Sequence, residues 1–194
     1  YLEECKATYD AVYADIPDDI PFSNIWIAKQ LSKIIPDNSV MHFGILNSLR
    51  SWNFFELPLS VNSYCNVGGF GIDGPLSTVI GGALAAPERL HFLVVGDLAF
   101  FYDINSLGNR HLPSNLRILL VNNGRGTEFT NYNHPAYRFG EDADTYMAAA
   151  GHYGHQSPLL IKHFAEDLGF KYLTASDKEG VEALAKEFVE ATSD

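Results

Sequence analysis

Two groups of residues in this 194-residue sequence have the types and spacing to do chemistry. The first pairs Gly96-Asp97-Leu98 with Asn122-Asn123-Gly124, Asn123 lying 26 positions after Asp97. Each group closes an apolar run, 90–95 and 118–121. If those runs are adjacent parallel strands, a carboxylate and an amide oxygen meet at one sheet edge. With a nearby backbone carbonyl they form a set of hard oxygen ligands suited to Mg²⁺, which takes few protein oxygens and fills its octahedron with phosphate and water. The chemistry implied is a cation-bridged diphosphate. A plainer account has Asp97 capping the helix that follows while Asn122 and Asn123 form a turn.

The second group is Gly69-Phe70-Gly71-Ile72-Asp73-Gly74, a G-x-G-x-x-G between a strand and a helix, with Asp97 23 positions after Gly74. By itself that is a dinucleotide fingerprint, in which glycines let a pyrophosphate approach a helix N-terminus. Asp73 argues against it, because its carboxylate would stand inside a loop meant for an anion. His152-x-x-His155 lacks a third ligand at a recognisable spacing and reads as two polar loop histidines. Arg125 and Glu128 either reach substrate or are surface charge.

The elements that must position these residues follow from periodicity. Leu2, Cys5, Tyr9, Val12, Tyr13 and Ile16 recur at helical steps over 1–16, and the Pro/Asp run 16–21 ends that helix. A boundary is therefore placed at residue 20, with a helix and linker over 1–20 and one domain over 21–194. Ser23 caps a helix carrying Ile27, Leu31 and Ile34 that stops before Pro36. Beyond it, strand candidates at 40–45, 60–65, 90–95, 117–121 and 171–174 alternate with helix candidates at 75–86, 99–110, 142–150, 158–168 and 178–191. The last opens with a capping box, Ser176 and Glu179. Such alternation predicts an α/β three-layer sandwich, a mainly parallel central sheet flanked by helices. Ligands of such sheets bind beyond the carboxyl ends of the strands. The long loop 124–140 is read as a binding or lid segment. Trp52, Phe54 and Phe55 are either core or an apolar interface.

Composition narrows the partners. With 13 Lys+Arg against 24 Asp+Glu the net charge is −11, which argues against nucleic acid and membrane surfaces, since both reward clustered basic residues. It also disfavours a phosphorylated ligand unless a cation mediates the contact. No apolar run is long enough to cross a membrane. Two cysteines, Cys5 and Cys65, make neither a disulfide framework nor a zinc site, and the default reading is a reducing cytoplasm.

These residues resemble the diphosphate-binding module of thiamine diphosphate enzymes, whose motif opens Gly-Asp-Gly and closes Asn-Asn at a similar distance. The likeness is greatest to the 2-succinyl-5-enolpyruvyl-6-hydroxy-3-cyclohexene-1-carboxylate synthases of menaquinone biosynthesis, where Leu replaces the third Gly, as Leu98 does here. Tyr102-Asp103-x-Asn105 and Gly71-Ile72-Asp73-Gly74-x-Leu76-Ser77-Thr78 share the resemblance. It implies that Asp97 and Asn123 hold Mg²⁺ by their side chains and Arg125 by its backbone carbonyl. Gly96 and the amides of Leu98 and Ala99 would face the diphosphate. Ile72 would be the apolar wedge that bends thiamine diphosphate, beside Gly71, with the Phe70 carbonyl holding the aminopyrimidine and Asn47 and Ser48 lining the same site. The implied reaction decarboxylates a 2-oxoacid and transfers the acyl anion. The glutamate that activates the cofactor belongs to the pyrimidine-binding domain of a neighbouring subunit. The expectation is therefore a C-terminal domain of a homodimeric or homotetrameric enzyme, inactive alone.

The sequence departs from that family at two places. Val67 stands after Asn66 where the family has Arg, and Arg50 is displaced from a second family Arg; both arginines are associated with substrate carboxylates. The readings left open are a thiamine diphosphate-dependent 2-oxoacid decarboxylase of another pathway, an NAD(P)-binding oxidoreductase domain, and a non-catalytic interaction domain.

Overall fold

The computed structural model describes residues 1–69, 71–147, 149, 151–154 and 156–190. Four strands, β1 (Val40–Phe43), β2 (Asn62–Cys65), β3 (His91–Gly96) and β4 (Leu116–Val121), form one parallel sheet in the order β2-β1-β3-β4. Each pairs in strict register, Val40 with His91 at the start of the central pair and Gly96 with Val121 at the end of β3–β4.

Alternation of side chains along the strands divides the core into two layers. Met41 and Phe43 on β1 and Phe92 and Val94 on β3 face one side. There they meet α2 (Asn24–Leu31), α3 (Asn47–Trp52) and α8 (Lys178–Val189) through Ala28, Leu31, Trp52 and Val189. Leu93 and Val95 face the other side and meet α4 (Pro75–Ala85), α5 (Asp97–Tyr102) and α7 (Leu160–Asp167) through Leu76, Val79, Ile80, Phe100 and Ile161. A short helix, α6 (Ala143–Tyr146), lies in the segment after β4. The architecture is thus the three-layer α/β sandwich expected. Among the described residues no helix is long and apolar enough to cross a membrane.

The N-terminal helix, α1 (Leu2–Ala14), buries no residue. It rests on the end of α3 through Tyr9, whose hydroxyl donates to the Phe54 carbonyl at 3.2 Å, and Tyr13, edge-on to Phe55. Trp52 and Phe55 are core while Phe54 is 36% exposed, so the aromatic group divides between interior and surface.

Ser23 caps α2 by accepting from the Trp26 amide at 3.2 Å. The helix ends at Leu31, and the turn after it buries Ile35 and exposes Ile34. At α8 the capping acceptor is Asp177, which takes the Gly180 amide at 2.7 Å, rather than Ser176. A carboxylate is favoured at that positive helix end. The candidate strand 171–174 is irregular. Beside it Arg117 occupies the edge of β4, donating to the Ser114 and Leu116 carbonyls and to the Glu190 carbonyl. Phe170 and Tyr172 still pack on the second core layer. Helix 99–110 divides into α5 and a 3-10 turn, Ile104–Gly108.

Under α4 lies a pair of histidines. His42 and His91 are 8% and 2% exposed, their rings stack at 5.8 Å, and Tyr64 lies 5.6 Å from His42. A Cβ on Gly82 would stand 3.3 Å from His42 Nε2 and 3.4 Å from His91 Nδ1, so glycine lets α4 cross close over the pair. Burial, with a smaller effect of the neighbouring His91, pushes His42 down to about 4, and burial also lowers His91. Helix α4 has no ionisable side chain, and the other groups near the pair are Tyr64, Glu88 and Arg89. With folded pKa values below the unfolded value of about 6.5, both rings stay neutral in the native state while the unfolded chain takes up protons. Stability is therefore complete above about pH 6.5 and falls as pH drops toward 4, by about 3 kcal/mol from His42. Urea denaturation at about pH 7 and about pH 4.5 will show this loss, and His42→Leu will flatten it.

Candidate functional site

The sheet order creates the site. From β1 the chain passes to β2 on one side, then returns to β3 on the other, so its connections diverge between β1 and β3. A crevice opens at such a switch point beyond the carboxyl ends of the strands. Four segments leave the strands at that edge: Gly44 to Asn47 after β1, 66–69 and 71–74 after β2, Asp97 after β3, and 122–126 after β4.

Asp97 is 1% exposed. It directly follows the Gly96–Val121 pair, so β4 delivers Asn122 and Asn123 beside it. Its Oδ1 accepts from the Leu98 amide at 2.8 Å and its Oδ2 from the Gly124 amide at 2.5 Å. Charge-assisted bonds of this kind compensate a buried carboxylate. Asn123 is exposed and its Oδ1 accepts from the Arg125 amide at 3.1 Å. Gly124 has a φ of +69°, and a Cβ there would stand 2.9 Å from the Tyr153 ring, so the turn requires glycine for both reasons.

Helix α3 clasps the same loop. The Asn47 amide donates to Thr127 Oγ1 at 2.5 Å and Arg50 pairs with Glu128 at 2.7 Å. Just before Asn47, Leu46 holds a φ of +65°, a strained conformation for a branched side chain. Ser48 is buried, its Oγ close to the Cβ position of Gly44. Gly71 and Ile72 are half-buried and Asp73 exposed. Phe70 and His155 lie outside the described residues. Ala99 packs on the second core layer at the start of α5, and Arg125 turns its guanidinium to Asp144 at 3.1 Å.

Two residues that the sequence assigned to no role complete the arrangement. His152 is largely buried and sets Nε2 3.2 Å from Asp97 Oδ1, at ion-pair distance but without hydrogen-bond alignment. Tyr153 donates its hydroxyl to Asn122 Oδ1 at 2.6 Å and lays its ring on Gly124. Burial first, and then the Asp97 charge, pushes its hydroxyl up to about 12. Both rings pack on Phe101 of α5. The signal available beforehand was the ionisable–aromatic pair inside Gly151-His152-Tyr153-Gly154, after a loop already read as a lid.

The donors at this edge fit Mg²⁺. Among the described residues no three His, Cys, Asp or Glu side chains cluster. What the edge offers is one buried carboxylate and a neutral amide oxygen, beside an imidazole nitrogen without an aligned hydrogen bond. Hard oxygens in that number suit a cation that shares phosphate, and they do not suit a transition-metal centre.

The G-x-G-x-x-G loop meets a different environment. The N-terminus of α4 already holds a carboxylate: Asp103 Oδ2 accepts from the Ser77 amide at 2.7 Å and from its hydroxyl at 2.9 Å. A pyrophosphate on that helix end would meet this anion. Asp103→Ala will leave the α4 amide without its acceptor and lower stability by about 1 kcal/mol, read as a shift in the urea midpoint; Asp103→Asn will recover part of it.

Comparison with known proteins agrees with the resemblance read from the motifs. No family model matches the chain. It is 33% identical over 176 residues to the 2-succinyl-5-enolpyruvyl-6-hydroxy-3-cyclohexene-1-carboxylate synthase of Christiangramia forsetii, covering 91% of this chain and 29% of that protein. The synthase of the same name from Bacteroides fragilis is 36% identical over 172 residues, 89% of this chain and 29% of its own length. That from Bacteroides thetaiotaomicron is 33% identical over 194 residues, 97% and 33% respectively. The chain thus spans about a third or less of the curated relatives it matches.

Proposed function

We propose that this chain, similar over nine tenths of its length to those synthases, is the cofactor-binding part of a thiamine diphosphate- and Mg²⁺-dependent enzyme acting on a 2-oxoacid. The observation that carries the reading is the fully buried Asp97 at the end of β3 with Asn123 at the end of adjacent β4, at the switch point of a parallel sheet. When bound, thiamine diphosphate supplies the carbanion chemistry that decarboxylates the 2-oxoacid and passes on its acyl group.

The residues of this chain bind and orient. Asp97, Asn123 and the Arg125 carbonyl would hold Mg²⁺, which makes an acidic chain of net charge −11 tolerate a diphosphate. Gly96, Leu98 and Ala99 open α5 toward the same place, where the Leu98 amide, which donates to Asp97 Oδ1, would have to release that bond to face an anion. Asn47, Ser48, Phe70, Gly71 and Ile72 would line the ring end of the cofactor. The activating glutamate would come from a pyrimidine-binding domain of a neighbouring subunit in a homodimer or homotetramer. By this reading the chain alone binds without turning over.

The menaquinone-synthase-like reading is the one that the relatives' names support; a 2-oxoacid of another pathway is the alternative, and two side chains motivate it. Val67 is half exposed where the family has Arg, and Arg50 spends its charge on Glu128. Neither presents a guanidinium committed to a substrate carboxylate.

Calorimetric titration of the full-length protein tests the proposal. Thiamine diphosphate should bind with Mg²⁺ and not with a chelator, and Asp97→Asn or Asn123→Ala should weaken it at least about tenfold. NADH binding that ignores both metal and Asn123→Ala sinks the reading in favour of a dinucleotide domain. Absence of heat with either ligand leaves a non-catalytic interaction domain.

A further inference from the structure

Asp97 is the expected cation ligand, yet it is 1% exposed, and His152 and Tyr153 cover that edge. Of the groups meeting its carboxylate, two are backbone amides fixed by the start of α5 and the glycine turn after β4. The third, His152 Nε2, belongs to a side chain on an irregular segment. Its neighbour Tyr153 occupies the loop that bears the other expected ligand, with its hydroxyl on Asn122 and its ring on Gly124.

Accepting the cofactor reading above, we infer that His152 and Tyr153 form a latch that holds the cation position in the free chain and is exchanged for the Mg²⁺–diphosphate on loading. His152 is suited to leave because its buried Nε2 sits near Asp97 Oδ1 without forming an aligned hydrogen bond. A cation on the same oxygen replaces a poor partner by a strong one. It is suited to return because both rings have a stable seat against Phe101, at 6.0 Å and 5.6 Å. Two further contacts tie the segment to the metal loop, the Arg125–Asp144 pair at 3.1 Å and the Gly126 amide on the Ala149 carbonyl at 2.6 Å. Thus the segment that carries the latch is anchored to the turn after Asn123 and stays close to the site when its two rings leave. A ligand that gains only by displacing an existing contact pays that contact in apparent affinity.

The test is a comparison of wild type, His152→Ala and Tyr153→Phe in the full-length protein, by titration with Mg²⁺ and thiamine diphosphate and by hydrogen exchange of peptides spanning 143–153. Tyr153→Phe keeps the ring and loses the hydroxyl's bond to Asn122, and should tighten binding about threefold to tenfold. His152→Ala removes a contact that is not an aligned hydrogen bond, and should shift affinity in the same direction by less. Loading should speed exchange in those peptides in the wild type. Wild-type binding with unchanged or weaker affinity in both variants, or slower exchange on loading, overturns the latch and leaves the cofactor reading intact. Failure of all three proteins to bind overturns both.

Discussion

The structure depends on a buried carboxylate at the end of a parallel strand. Taking a charge such as Asp97 out of water costs several kcal/mol unless fixed donors replace the solvent. Here the donors come from two elements that the sheet brings together, the Leu98 amide at the start of α5 and the Gly124 amide after β4. Neither would be in place without the six-residue register of β3 on β4, which runs from His91–Leu116 to Gly96–Val121. The carboxylate therefore reports the whole strand pairing. A slip of one residue would turn the Leu93 and Val95 face outward and move Asp97 off the loop that satisfies it.

That arrangement would also let an acidic chain accept the proposed diphosphate. The chain carries −11, and Asp73, Asp103, Glu128 and Asp144 all lie in segments near the carboxyl edge. Several are neutralised locally: Glu128 by Arg50, Asp144 by Arg125, and Asp103 by the α4 amide and hydroxyl of Ser77. Asp97 is the one held by backbone dipoles with an unaligned imidazole beside it. Local pairing leaves the negative potential concentrated where a divalent cation is useful. On the proposed function, the composition objection to phosphate would be met at this edge by a cation such as Mg²⁺.

Much of this was legible in the sequence because parallel sheets impose simple rules. Apolar runs bounded by Gly or Pro gave four strands within a few residues, and the ends of two of them named Asp97 and Asn123 as neighbours before any coordinates. What escaped depended on contacts distant in sequence. Residues 171–174 have strand-like residues but pair with no strand, and Phe170 and Tyr172 are held by packing on the second core layer. The helix expected over 99–110 ends early because Asp103 turns away to cap α4. His152 looked like a polar loop residue since nothing within its own segment predicts a seat on Asp97, which is 55 positions earlier.

The ambiguous glycine motif shows how such distant contacts decide function. Gly69-x-Gly71-x-x-Gly74 before a helix satisfies the letter of a pyrophosphate loop, and Gly74 has the positive φ of +126° that a tight entry needs. A pyrophosphate loop works only if the helix amides behind it are free to face the anion. On α4 the Ser77 amide instead donates to Asp103, 26 residues away on the far side of β3 in the chain. The motif Tyr102-Asp103-x-Asn105 and the motif around Ser77 are therefore two halves of one cap, and together they withdraw this helix end from anion binding. On the proposed function the glycines would let backbone pass close to a flat ring system, and the diphosphate would fall to the neighbouring edge, where Asp97 and Asn123 could share a cation with it.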